Sequence, residues 1–159
     1  MRNKEEIPVL VAEIKDELSN LEIVAQKLSS QVNRTNEEEI AESAALRLHN
    51  FYTGCERIFK LIASEVNGGV PHELDWHKRL LAQVALEIDG IRPVVISTKT
   101  RKELEELLRF RHIVRNIYGF ELESERIEAL IALTILLYPR LTKEIKNFMG
   151  FLMGIYKEA

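Results

Sequence analysis

The chain has 159 residues, of which 46% are hydrophobic and 30% charged, with a formal net charge of −3. That mix fits a single folded domain over 1–159, and it excludes a broadly basic nucleic-acid-binding surface, so any contact with RNA has to rest on a local patch. A single cysteine, Cys55, excludes both an internal disulfide framework and a multi-cysteine zinc site.

With only seven glycines and four prolines, long helices are the natural output. Apolar residues at helical spacing predict the first, from about Glu5 to Ser29, through Ile7, Leu10, Ile14, Leu18, Leu21, Val24 and Leu28. Pro8 is tolerated in a first turn, where its missing N–H has no partner to lose. A polar connector, Ser29 to Thr35, leads to a second helix from about Glu37 to Val66. There Ile40, Ala44, Leu48, Phe51, Cys55, Ile58 and Ile62 form one stripe, Asn36 with Glu39 resembles a capping box, and Asn67-Gly68-Gly69 is a stop. Cys55 on that stripe reads as a buried, inert thiol. The two long helices are expected to pack antiparallel.

Pro71 predicts a third, shorter helix from about His72 to Glu87, with Leu74, Leu80, Leu81, Val84 and Ile88 inward. Trp76 reads as core or interface. Asp75 and His77, two apart, point to different faces and make a poor relay pair; His77 and Leu81 read as helix neighbours. Asp89 to Pro93 is a turn, and Val94-Val95-Ile96 is expected to lie over the bundle and place a fourth helix, from Lys99 or Arg101 to Tyr118. Thr100 with Glu103 reads as its capping box and Gly119 as its end. A fifth helix, from about Ser124 to Tyr156, should kink at Pro139. Its segment Ala129 to Tyr138 is apolar nearly all round, which predicts burial on every side, at the bundle centre or in a dimer interface. That run is short of the roughly 20 residues that span a bilayer, and no signal-peptide pattern follows Met1, so a cytoplasmic location is expected.

The chemistry concentrates in the fourth helix. Between Lys99 and Arg115 stand six basic residues and three acids, all glutamates in the first half, so the helix becomes cationic along its length. Its end, Arg109-Phe110-Arg111-His112-Ile113-Val114-Arg115-Asn116-Ile117-Tyr118, holds three arginines and no acid. Arginines at a helix C-terminus offset the macrodipole, which is the plain explanation. Arg111 needs more, because it falls between Leu107 and Val114 on the apolar stripe, and a guanidinium there must be paired or face a cleft.

Arg-His-Ile-Val-Arg-Asn-Ile-Tyr resembles the signature of HEPN domains, most closely the HepT-like group: an Arg, a polar residue, a few positions, a His, one residue and a Tyr. The family Arg falls on Arg111, the polar position on His112 and the Tyr on Tyr118, while Asn116 stands where the family has its His. Asp75 to Leu81 and Ile91 to Ser97 also look like that group, and the resemblance runs from about Asn36 onward. It implies an all-α bundle of four long helices plus one shorter, forming a homodimer through the motif-bearing helices. It also implies a metal-independent ribonuclease toxin whose partner, a minimal nucleotidyltransferase, adds AMP to the motif tyrosine, here Tyr118. In such cleavage the RNA 2′-hydroxyl attacks the adjacent phosphate, a histidine moves protons, and an arginine fork holds the added charge.

On this chain Arg111 would hold the phosphate, Arg115 would assist, and Arg109 on another face would attract the backbone. Asn116 can donate a hydrogen bond but cannot shuttle a proton at neutral pH. Either His112 has taken over proton transfer, or the chain binds RNA or nucleotide without cutting it. The alternative to the toxin is thus a non-catalytic module for RNA, nucleotide or a protein partner. A plain bundle scaffold would require an intrachain acid neutralising Arg111 and no open groove beside it. No cofactor or metal is expected: the four histidines are scattered and there is no Gly-rich phosphate loop.

Overall fold

In the computed structural model, residues 3–66, 68–116 and 123–158 are described, apart from the side chains of Arg115 and Asn116. A single 3-10 turn, Lys4–Glu6, capped by the Asn3 side chain on Glu5 N–H, leads into α1 (Ile7–Ser29). It is followed by α2 (Glu38–Val66), α3 (Trp76–Val84), α4 (Thr98–Asn116) and α5 (Ser124–Lys157), with no strand among the described residues. Among the described residues the fold is the expected all-α bundle of four long helices plus one shorter. No described helix is long and apolar enough to cross a membrane.

The long helices run antiparallel in pairs. Gln31 Nε2 donates to Ser43 Oγ at 2.6 Å, and Arg57 Nε reaches Glu17 at 3.2 Å, so the end of α1 meets the start of α2 and the chains part in opposite senses. Gly54 lets α1 come close: a Cβ there would stand 2.7 Å from Leu21 Cδ2. α5 returns beside α4, where Ser97 N–H donates to Glu144 and Arg140 reaches both Thr100 and Glu103. α2 touches every other helix and supplies the centre of the core with Leu48, Phe51, Cys55, Ile58 and Ile62, all within 1% of full burial. Burial pushes the Cys55 thiol far above its usual range, so it stays protonated and inert.

The third helix is shorter than the apolar spacing predicts, and the cause lies at both ends. It begins at Trp76 after a turn in which Trp76 N–H bonds the Glu73 carbonyl, which leaves Leu74 fully exposed instead of inward. At its C-terminus the Val84 carbonyl accepts from Val95 and Ile96 N–H, while Ile88 N–H goes to Arg92. The buried Arg92 guanidinium holds the carbonyls of Gln83, Leu86 and Pro93. Those bonds take the groups that another helical turn would use. Val95 and Ile96 are buried, as a strap placing α4 should be.

α4 starts at Thr98, and its cap is Ser97, whose Oγ accepts from Thr100 N–H at 3.2 Å. The capping box expected at Thr100 and Glu103 is therefore displaced: both side chains serve Arg140 of α5 instead. Gly119, Tyr118 and the bend Phe120 to Glu123 lie outside the described residues, save Glu123 itself. α5 continues through Pro139. Its Ala129–Tyr138 segment is not buried on every side within one chain: Ile131, Thr134 and Leu137 face the core, whereas Ala129 and Ala132 are exposed and Leu136 is 75% exposed. The segment is apolar all round; Leu133, Ile135 and Tyr138 also pack against the core, and the strip of Ala129, Ala132 and Leu136 is left exposed.

Candidate functional site: Arg111, Glu56 and His77

Three elements converge on Arg111. α4 carries it between the buried Leu107 and the half-buried Val114, so its side chain runs inward, toward α2. There Glu56 is buried at 3%, one turn after Tyr52 on a flank of the α2 stripe. Arg111 Nη1 donates to Glu56 Oε1 at 3.2 Å. From the first turn of α3, His77 Nδ1 lies 2.7 Å from Glu56 Oε2 and 3.2 Å from Arg111 Nη1.

One ring nitrogen cannot both donate to a carboxylate and accept from a guanidinium. The shorter contact is to the charged acceptor, so Nδ1–H donates to Glu56 and Arg111 stands beside the ring without bonding it. The imidazole is also held from the side, stacked on Trp76 with ring centroids 3.6 Å apart. Lys60 Nζ sits 4.4 Å from the Trp76 ring centre. Trp76 is thus an interface residue between α2 and α3, as its sequence context predicts.

The cluster is layered from core to surface. The Glu56 side chain is 4% exposed, that of Arg111 14% and that of His77 26%. Tyr52 lies beneath it with its hydroxyl buried and unpartnered among the described residues. Burial, followed by the charge of Glu56, holds that phenol above its usual range, and Arg111 only partly offsets this. It is a neutral floor to the site. Arg111 Nε is likewise buried without a partner among the described residues. A buried donor without such a partner is uncommon.

The other sequence-derived residues fall apart from this cluster or outside the described residues. Arg109 is exposed and pairs with Glu106 on its own helix. His112 is on the exposed side of α4. Arg115 and Asn116 lie on the last turn of α4, their side chains outside the described residues, and Tyr118 lies beyond them. Sequence reading missed Glu56 and treated His77 as a helix neighbour of Leu81. Glu56 had a visible signal: it stands four after Tyr52 and three before Phe59, an acid on an apolar flank, and a buried acid must have a cation. His77 had none, because its partner comes from another helix. Among the described residues no group of three or more His, Cys, Asp or Glu is placed to hold a metal ion.

The model of the family of HepT-like proteins matches residues 43–152, from early α2 to late α5 and well over half of the chain. The chain belongs to the HepT-like family. The HEPN resemblance drawn from the residues around Arg111 is thereby supported at the level of the family. All three members of the Arg111–Glu56–His77 cluster lie inside the matched span. No curated protein and no solved structure gives a significant match.

Proposed function

We propose that this HepT-like chain is a metal-independent ribonuclease toxin, acting as a homodimer and silenced by a nucleotidyltransferase partner. The observation that carries the reading is a family match over 43–152 combined with an arginine on an apolar helix face whose side chain is still 14% exposed. A guanidinium at that edge suits a phosphate, since its fork matches two oxygens and its charge persists at all working pH values. A cationic last turn, with Arg115, adds attraction for an RNA backbone. The exposed apolar face of α5 around Leu136, with Ile113 of α4 40% exposed, supports a second copy covering it. Tyr118 is the candidate acceptor of AMP.

A second reading has its own support. Asn116, where the family has its histidine, cannot move a proton, and Glu56 already holds one arm of the Arg111 fork. On that reading the chain is a non-catalytic module that binds RNA, nucleotide or a protein.

Growth of cells expressing wild type, beside RNA cleavage by purified wild type and Arg111→Ala, separates the two. Arrested growth and cleavage that Arg111→Ala abolishes while still folded are expected of the toxin. Unimpaired growth with intact RNA sinks it in favour of the binding module.

A further inference from the structure

We propose that His77 is the general base of this site, with Glu56 as its positioning residue. The inference rests on the ribonuclease reading above and names the residue that moves the proton. Its basis is geometric. Glu56 fixes the ring through Nδ1 at 2.7 Å, which commits that nitrogen as donor and leaves Nε2 as the basic lone pair. An imidazole oriented by a buried carboxylate is the arrangement that a base needs to stay in one tautomer and one pose. Glu56 itself is too deep to reach substrate, whereas the His77 side chain is 26% exposed. Arg111 stands 3.2 Å away, so a phosphate held by the guanidinium comes next to the imidazole. Stacking on Trp76 removes the remaining freedom of the ring. A clip joining α2 to α4 would need only Glu56 and Arg111; the histidine is surplus to it.

The step balances on these groups. His77 Nε2 takes the proton of the RNA 2′-hydroxyl, the O2′–P bond forms, and the P–O5′ bond breaks. The departing O5′ takes a proton from water, and His77 returns its own to water. Products are a 2′,3′-cyclic phosphate and a 5′-hydroxyl. Arg111 meets the charge that builds on the phosphate oxygens.

The test is cleavage of a single-stranded oligoribonucleotide by wild type, His77→Asn and His112→Ala across pH. Asn keeps a donor toward Glu56 and removes the base, so cleavage should fall by about 100-fold or more. Melting and RNA binding should hold, and the fall of the wild-type rate toward acid pH should vanish from the residual activity. The charged groups facing the ring, Glu56 from α2 and Arg111 from α4, are unchanged in that variant, as is Lys60 over the neighbouring Trp76 ring. If wild type cuts and His77→Asn cuts as fast, the inference is overturned and the ribonuclease reading stands. If wild type cuts nothing, both fall. Should His77→Asn fail to fold, wild type labelled with 15N-histidine decides instead. Binding of a 2′-deoxy oligonucleotide must shift the His77 Nε2 resonance, and an unmoved resonance overturns the proposal.

Discussion

The Glu56 carboxylate and the Arg111 guanidinium, 55 positions apart, meet at 3.2 Å between α2 and α4. Neither helix could bury its half of the pair alone, because an uncompensated charge in the core costs several kcal/mol. Removing the acid should therefore hurt folding more than removing both partners. Glu56→Gln is expected to lose about 2 kcal/mol in urea denaturation, discounted from a fully buried pair because Arg111 keeps some solvent contact. The double variant with Arg111→Met should recover at least about 1 kcal/mol of the summed losses. Strictly additive losses would show that the two groups do not depend on each other.

Gly54 of α2 faces Leu21 of α1. Alanine normally stabilises a helix by about 1 kcal/mol over glycine. Here the added Cβ meets Leu21 Cδ2 at 2.7 Å, and Leu21 is 1% exposed, so it has little room to turn away. Overpacking of this kind costs about 1–3 kcal/mol, which outweighs the propensity gain. Gly54→Ala should thus lower the melting temperature, and its harm should disappear in a Leu21→Ala background. A Gly54→Ala protein that melts higher than wild type contradicts the close approach of α1 and α2.

Glu128 ties the connector before α2 to α5 by accepting from Thr35 Oγ1 at 2.8 Å and Thr35 N–H at 3.3 Å. Burial alone would raise its pKa, but hydrogen bonds from the backbone of Asn33, Thr35 and Arg34 and the Thr35 hydroxyl outweigh that, and the net direction is down. A carboxyl held lower in the folded state stabilises at pH values above its unfolded pKa, about 4.3, and loses that contribution as pH falls through its folded value. Glu128→Gln should cost about 0.5–1.5 kcal/mol at pH 7, with the gap to wild type narrowing below about pH 4. A gap independent of pH would show that the charge has no part in the tie.

The exposed apolar face of α5 bears on assembly. Leu136→Asp changes a residue that is 75% exposed, so the fold should be little affected. Sedimentation is expected to show a dimer for wild type and a monomer for the variant. Equal masses for the two place the contact between copies elsewhere or remove it.

The helices were legible because each keeps an apolar stripe at helical spacing. What escaped were the points where a partner comes from elsewhere in the chain. Thr100 and Glu103 have the spacing of a capping box, but Arg140 claims both and Ser97 caps α4. The Ala129–Tyr138 run says how apolar the segment is and nothing about how many sides one chain can cover. Arg111 was legible as an anomaly on a stripe. Its acid carried a local mark too, since Glu56 stands on an apolar flank of α2, but nothing nearby in the sequence names its cation, and His77 acquires its meaning only when α3 docks on α2.

The most direct test of the functional account is incubation of the purified wild-type chain with a labelled oligoribonucleotide and with the same oligonucleotide carrying 2′-deoxy sugars throughout. A metal-independent ribonuclease cleaves the first to fragments ending in a 2′,3′-cyclic phosphate and 5′-hydroxyls, in the presence of a metal chelator, and leaves the second intact. Cleavage of both oligonucleotides, or of neither, contradicts that activity.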